Sequence, residues 1–344
     1  MKKIAIVLLS ICTLTSCAQK QKVKPSNIKI RNSNINKDNV VAETLKSINH
    51  YDKEPMYFIR PIQNNCTYEI LVNDFPVYDD FESLEILATP VEINGAILKS
   101  GEQTITVRMY PVGDLLKDNY DIGETITTLL DNTSMKVEVV KYDAYNISHK
   151  LSDEKTVLKH YSPTKGSTKK FIGAGLPYYE YTFSFNAEVP YENEGWLNGE
   201  DLTKFEKKKL ESEVVEAYND FKSIHSNNDI DNFTRLEYDY ILRSCVAYYR
   251  NKKYIKNLWN EHVEPLSFKN KEYQKIENYE MKFYGNNRIV CLKFPNNENI
   301  DSRLRRESAF WFKYNNGDGI RGWFSNIYLY IPKGGTLDDL QTIK

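Results

Sequence analysis

The sequence predicts a β-sandwich domain followed by an α+β domain in which helices pack on an antiparallel sheet. Two observations carry that prediction. Between Pro55 and Val189, short runs of alternating apolar and polar residues are separated by turn signals, the pattern of half-buried strands. After Trp196 the apolar period lengthens to three and four residues as far as Pro265, and alternation then returns. The 25 tyrosines agree, since aromatic side chains suit a pleated surface. Four segments follow: 1–16, a signal; 17–50, a disordered tether; 51–195, the sandwich; and 196–344, the α+β domain.

The chain opens MKKIAIVLLSICTLTSC. Lys2 and Lys3 form a positive n-region, and Ile4 to Leu14 an apolar run too short to cross a bilayer, which takes about 20 apolar residues. It fits the h-region of a secretory signal. Leu14-Thr15-Ser16-Cys17, directly after it, resembles the lipobox of bacterial lipoproteins. That resemblance implies that the Cys17 thiol receives a diacylglycerol, that the chain is cut before it, and that the new amine is acylated as well. Each buried CH₂ adds roughly 0.8 kcal/mol, so two or three chains of the palmitate kind make the attachment lasting. An ordinary cleaved signal with a coincidental cysteine is the alternative.

The next stretch, AQKQKVKPSNIKIRNSNINKDN, has no helical or strand period and a net charge of +5. Such a composition buries too little apolar surface to offset chain entropy, so it reads as a disordered tether. Acidic residues of the surface-export type are absent after Cys17, which favours a periplasm-facing position on the outer membrane. The whole chain has a net charge of −1; without Lys2, Lys3 and this stretch the remainder stands at −8. An acidic body argues against nucleic acid as a partner. Cys66, Cys245 and Cys291 each lie in an apolar run and match no zinc or redox spacing. They read as three buried thiols, although an oxidising compartment permits one disulfide.

In the sandwich segment, CTYEILV, Asn73-Asp74 and FPVY form a hairpin candidate. In EQTITVRMY, Ile105, Val107 and Met109 alternate with Thr104, Thr106 and Arg108. SMKVEVVKY places Met135, Val137 and Val139 on one face, and YYEYTFSFNAEV does the same with Tyr179, Tyr181, Phe183 and Phe185. A helical stretch falls near 123–131. ILVNDFPV with VEINGAILKSGEQTITVRMYP resembles the sandwich modules attached to glycoside hydrolases, over roughly 45 residues. That resemblance implies a turn with positive φ at Gly101 and, in some such modules, carbohydrate binding.

The second body opens with Thr203 and Glu206, spaced as a capping box. Leu210, Val214, Ala217, Tyr218, Phe221 and Ile224 then make one apolar stripe. Asp231 can cap a second helix carrying Phe233, Leu236, Tyr240, Ile241 and Cys245, and KKYIKNLWNEHVEP makes a third, stopped at Pro265. YEMKFYGNNRIVCLKF and ESAFWFKYNNGDGIRGWFSNIYLYI read as hairpins with tips at Gly285–Asn287 and Asn315–Gly319. VVEAYNDFKSIHSNNDIDNFTRL resembles the opening helices of the nuclear-transport-factor-like cone fold, a relative of cystatin-type sheets, which hosts enzymes, binders and scaffolds alike.

Catalytic and metal signatures are missing from the sequence. The five histidines show no metal-binding spacing, and no zincin helix, G-x-S-x-G elbow, P-loop or dinucleotide fingerprint occurs. No cofactor or metal is therefore expected. The enzymatic alternative needs a pocket inside the cone, with Asp220 or Asp239 and His225 as acid or base. Trp311 and Trp323 lie on strands that face one another across a hairpin, and Arg303, Arg305 and Arg306 of RLRRES form a compact basic patch. These five are the candidate partner-binding residues, against cross-strand packing and a solvated loop as the plain readings. Trp196 is placed at the junction between domains. The expectation is an envelope lipoprotein that binds a protein partner without catalysis. The partner is another envelope protein or a delivered toxin, met by an anchored immunity protein.

Overall fold

A computed structural model describes residues 28–82, 90–144, 151–297, 299–301 and 303–343. The lipobox-like Leu14–Cys17 lies outside the described residues. The expected fold class is the one observed: an N-terminal antiparallel sandwich, then an α+β body.

A short helix α1 (Val40–Lys46) precedes the sandwich. The sandwich strands are β1 (Pro55–Asn64), β2 (Thr67–Val72), β3 (Phe75–Asp80), β4 (Val91–Glu92), β5 (Gly101–Tyr110), β6 (Ser134–Asp143), β7 (Lys155–Tyr161) and β10 (Tyr179–Ala187), with a small β8–β9 pair at Thr164–Lys165 and Lys170–Phe171. One sheet has the order β4-β1-β6-β7 and the other β10-β5-β2-β3, all antiparallel. Between them lie the residues that the alternation assigns inward, among them Ile105, Val107, Met109, Met135, Val137 and Val139. Asn73 and Asp74 turn the β2–β3 hairpin with φ of 53° and 60°, and Gly101 starts β5 at φ 123°. One expectation moves: the intruding helix is α2 (Leu115–Tyr120), and 123–131 is not helical.

The second body contains α3 (Lys207–Ser226), α4 (Ile230–Ala247) and α5 (Lys252–Val263). Strands β11 (Glu272–Tyr273), β14 (Trp311–Asn315) and β15 (Ile320–Phe324) make one sheet. A second sheet joins β12 (Glu280–Tyr284), β13 (Ile289–Lys293), β16 (Leu329–Tyr330) and β17 (Gln341–Thr342). Two caps differ from expectation. Glu206 itself caps α3, its carboxylate accepting from the amides of Lys208 and Lys209 at 3.0 Å, while Thr203 sits in a separate turn capped by Asp201. Asp229, not Asp231, caps α4.

Residues 28–50 do not continue as a free tether. Ile28, Ile35 and Val40 are buried in the core of the second body, beside residues of α3 and α4. Asp220 accepts from the Ile28 amide at 3.2 Å, Asp239 accepts from Arg31 and Asn32, and Lys29 reaches Asp339 at 2.7 Å. The polar composition of this stretch concealed three apolar residues that tertiary packing uses. An apolar side chain needs no local period if a ready-made surface receives it.

The two bodies meet on the outer face of the second sandwich sheet. All six residues of β2 are buried, because Glu69 and Leu71, which point away from the sandwich core, are covered from outside. Trp196 is fully buried at this seam, as its position suggested: it stacks on Phe75 of β3 at 4.7 Å and lies under Arg243 of α4. Asn94, also fully buried, accepts from the Tyr57 amide at 2.7 Å and donates to the carbonyls of Pro55 and Ala247 at 2.9 and 3.0 Å. It ties the sandwich to the end of α4. Both hairpin tips engage too, with Asp74 accepting from the amides of Gly285 and Asn286 at 2.8 Å.

Candidate functional site

Where the covered part of the seam ends, two clefts of about 390 Å³ each open on either side of Arg306 and share Phe81, Asn296 and Arg306 in their walls. One is floored by the outer face of the second sandwich sheet. There Arg108 of β5 donates to Glu69 at 3.0 Å and to Glu180 at 2.7 Å, Tyr284 donates to Glu69 at 2.9 Å, and Tyr178 donates to Glu180 at 2.7 Å. Alternation along β5 makes this possible: Arg108 and Tyr110 fall on the phase opposite to Val107 and Met109, and so face the cleft. Burial works to lower the Arg108 guanidinium, but its bonds to Glu180 and Glu69 outweigh that and hold it above its ordinary range.

Arg306 enters from the loop after β13. Its guanidinium lies over the Phe81 ring at 3.8 Å and the Tyr110 ring at 4.5 Å. No carboxylate among the described residues is within ion-pairing distance of it; Asp79 and Glu69 act on it only from further off. Burial pulls it down to about 10, and the attraction of those groups does not make up the loss. Nearby, Lys293 is almost wholly buried beside Asp79 at 3.8 Å. Burial works to lower that ammonium, yet Asp79 leads the charges that hold it above its ordinary value.

The structure brings the three predicted arginines to one cleft. Arg303 is held by Asp301 in a two-point contact of 3.1 and 2.7 Å, and Arg305 donates to the Ile300 carbonyl at 3.1 Å. Of the three, Arg306 is the one whose guanidinium has no hydrogen-bond partner among the described residues. The two tryptophans go elsewhere, and to opposite faces of their hairpin. Register pairs Trp311 with Phe324 and Phe312 with Trp323, so the tryptophans are not opposite one another. Trp311 stacks on Phe324 at 5.2 Å, whereas Trp323 turns to Phe312 and His225.

The acid–base candidates in the second body do not converge. His225 is fully buried and ringed by Phe221, Phe233, Phe310, Phe312 and Trp323; its Nδ1 pairs with the Tyr273 hydroxyl. Burial, helped by the charge of Lys271, pushes its imidazole down to about 3. Asp220 and Asp239 hold the N-terminal segment. Among the described residues, no group of three or more His, Cys, Asp or Glu side chains comes together as a metal site needs.

Phe81 and Tyr110 escaped sequence reasoning, though Tyr110 left a signal. It is a large aromatic residue in the otherwise polar phase of Thr104, Thr106 and Arg108, and such a residue faces either solvent or a second body.

No protein-family model matches this chain, and neither a curated protein nor a solved structure matches it. Fold and site therefore define it by themselves: a β-sandwich joined to an α+β body, with a cleft of mixed charge and aromatic residues beside the seam.

Proposed function

We propose that this protein is a lipid-anchored protein of the bacterial envelope, attached through Cys17, and that it acts by binding a protein partner without catalysing a reaction. The observation that carries this reading is Arg306, a guanidinium packed against Phe81 and Tyr110 at an open cleft, with no carboxylate among the described residues paired to it. A desolvated donor fork of that kind is suited to recognition, and arginine and aromatic residues are enriched where protein partners are held.

The test has two parts. Mass spectrometry of native material is expected to show a diacylglyceryl-modified Cys17 as the first residue, and Cys17→Ser is expected to release the body from the membrane fraction. Pull-down from detergent-solubilised envelopes is expected to recover a protein partner with the wild type and to lose it with Arg306→Gln. An unmodified Cys17, or repeated recovery of no partner, sinks the proposal.

A further inference from the structure

Arg306 lines a cleft that is not simply basic. Its walls also carry Glu82, Asp114, Asp118 and Glu307, so the acidic side chains outnumber the three arginines. Arg303 is already bound to Asp301. A polyanion entering here meets four carboxylates against the two guanidiniums, of Arg305 and Arg306, that no carboxylate among the described residues already holds. A single carboxylate does not, provided that its neighbours are neutral or basic.

We propose that the cleft is a reader of one isolated carboxylate, an aspartate or glutamate side chain on a protein segment whose flanking residues are neutral or positively charged. Arg306 supplies the two-point donor fork, and the surrounding acids supply the rejection of polyanions and the attraction for flanking cations. Three features carry this. The guanidinium lies in the corner of two rings set edge to face, 3.8 Å from the Phe81 centroid and 4.5 Å from that of Tyr110, which confines it on two sides and leaves its N–H groups as the polar surface to satisfy. Its backbone is held in the left-handed region at φ 68° with its amide bonded to the Phe294 carbonyl, so the side chain leaves the loop in one direction. The acids stand around it without closing on it. Burial that depresses a cation, with no carboxylate among the described residues close enough to restore it, marks a place where an incoming anion is favoured. This inference deepens the binding reading above and rests on the cleft being the partner's seat.

The experiment follows the Arg306 Nε–Hε NMR resonance, assigned by its loss in Arg306→Gln, in the folded soluble form of the chain released by Cys17→Ser. The probes are capped pentapeptides: one glutamate between pairs of lysines, the same peptide with glutamine, and pentaglutamate, together with inorganic phosphate. The lysine-flanked glutamate peptide is expected to shift the resonance and to saturate, binding at least about tenfold tighter than the glutamine peptide, as one charge-assisted contact gives. Arg306→Lys, which keeps charge but not the fork, is expected to bind the peptide more weakly than wild type while melting at a similar temperature. Equal binding of the glutamine peptide, stronger binding of pentaglutamate, or an equal response to phosphate each overturns the proposal. If the peptide binds as expected but no partner is recovered from envelopes, the functional reading fails and the carboxylate site stands. If Arg306→Gln still recovers the partner, the site fails as the partner's seat and the binding reading stands.

Discussion

Tyr284 of the α+β body donates a hydrogen bond of 2.9 Å to Glu69 of the sandwich, and both residues are almost completely buried. The remaining Glu69 oxygen takes Arg108 at 3.0 Å, so one carboxylate joins a strand of each body. Replacing Tyr284 by Phe preserves the ring and leaves one buried oxygen without this donor. Urea denaturation is expected to show a loss of roughly 1–3 kcal/mol, the cost of an unsatisfied buried group. An unchanged midpoint means that this bond contributes nothing to the union of the two bodies.

His225 makes stability depend on acidity. Burial, and secondarily Lys271, lowers its imidazole from about 6.5 to about 3. Between those values the unfolded chain holds more protons than the folded one, so stability is complete above pH 6.5 and falls as pH drops towards 3. Denaturation midpoints taken across that window are expected to decline, and His225→Phe is expected to flatten the decline. An equally steep slope in the variant transfers the effect to other groups.

The N-terminal segment contributes to the fold and is not merely a leash. Ile28 is buried, and Asp239 holds Arg31 and Asn32. Ile28→Ala is expected to cost about 2–5 kcal/mol, in the range of a buried large-to-small change. Asp239→Asn is expected to make residues 28–50 a site of rapid proteolysis. Cleavage there at wild-type rates in both variants contradicts the packing described.

Three thiols give a simple probe of integrity. Cys66, Cys245 and Cys291 are free and fully buried, and burial pushes each up to about 12. A thiol reagent at neutral pH is expected to leave all three untouched in the native protein and to titrate all three in guanidinium. Fast labelling of any of them before unfolding marks an opening that the fold does not contain.

Most elements were legible because their signals are local. Alternation in β5, β6 and β10 and the stripe along α3 report which side of each element is apolar, and the structure buries those sides. Caps were less legible: at α3 and α4 two acidic residues compete within a few positions, and backbone geometry at the turn decides between them. The arginine patch was visible as composition. That Arg306, of the three, finds no hydrogen-bond partner among the described residues depends on where Asp301 and the Ile300 carbonyl lie.

The sequence by itself determined the two-part fold class, the inward faces of the strands and the buried character of the three cysteines, since a strand or helix must turn its apolar side from water whatever it meets. Only the tertiary structure decided what became of the outward faces. It covered Glu69 and Leu71, seated residues 28–50 on α3 and α4, and placed Arg306 against Phe81 and Tyr110. Those outcomes depend on residues more than a hundred positions apart reaching one place, and periodicity carries no record of that distance.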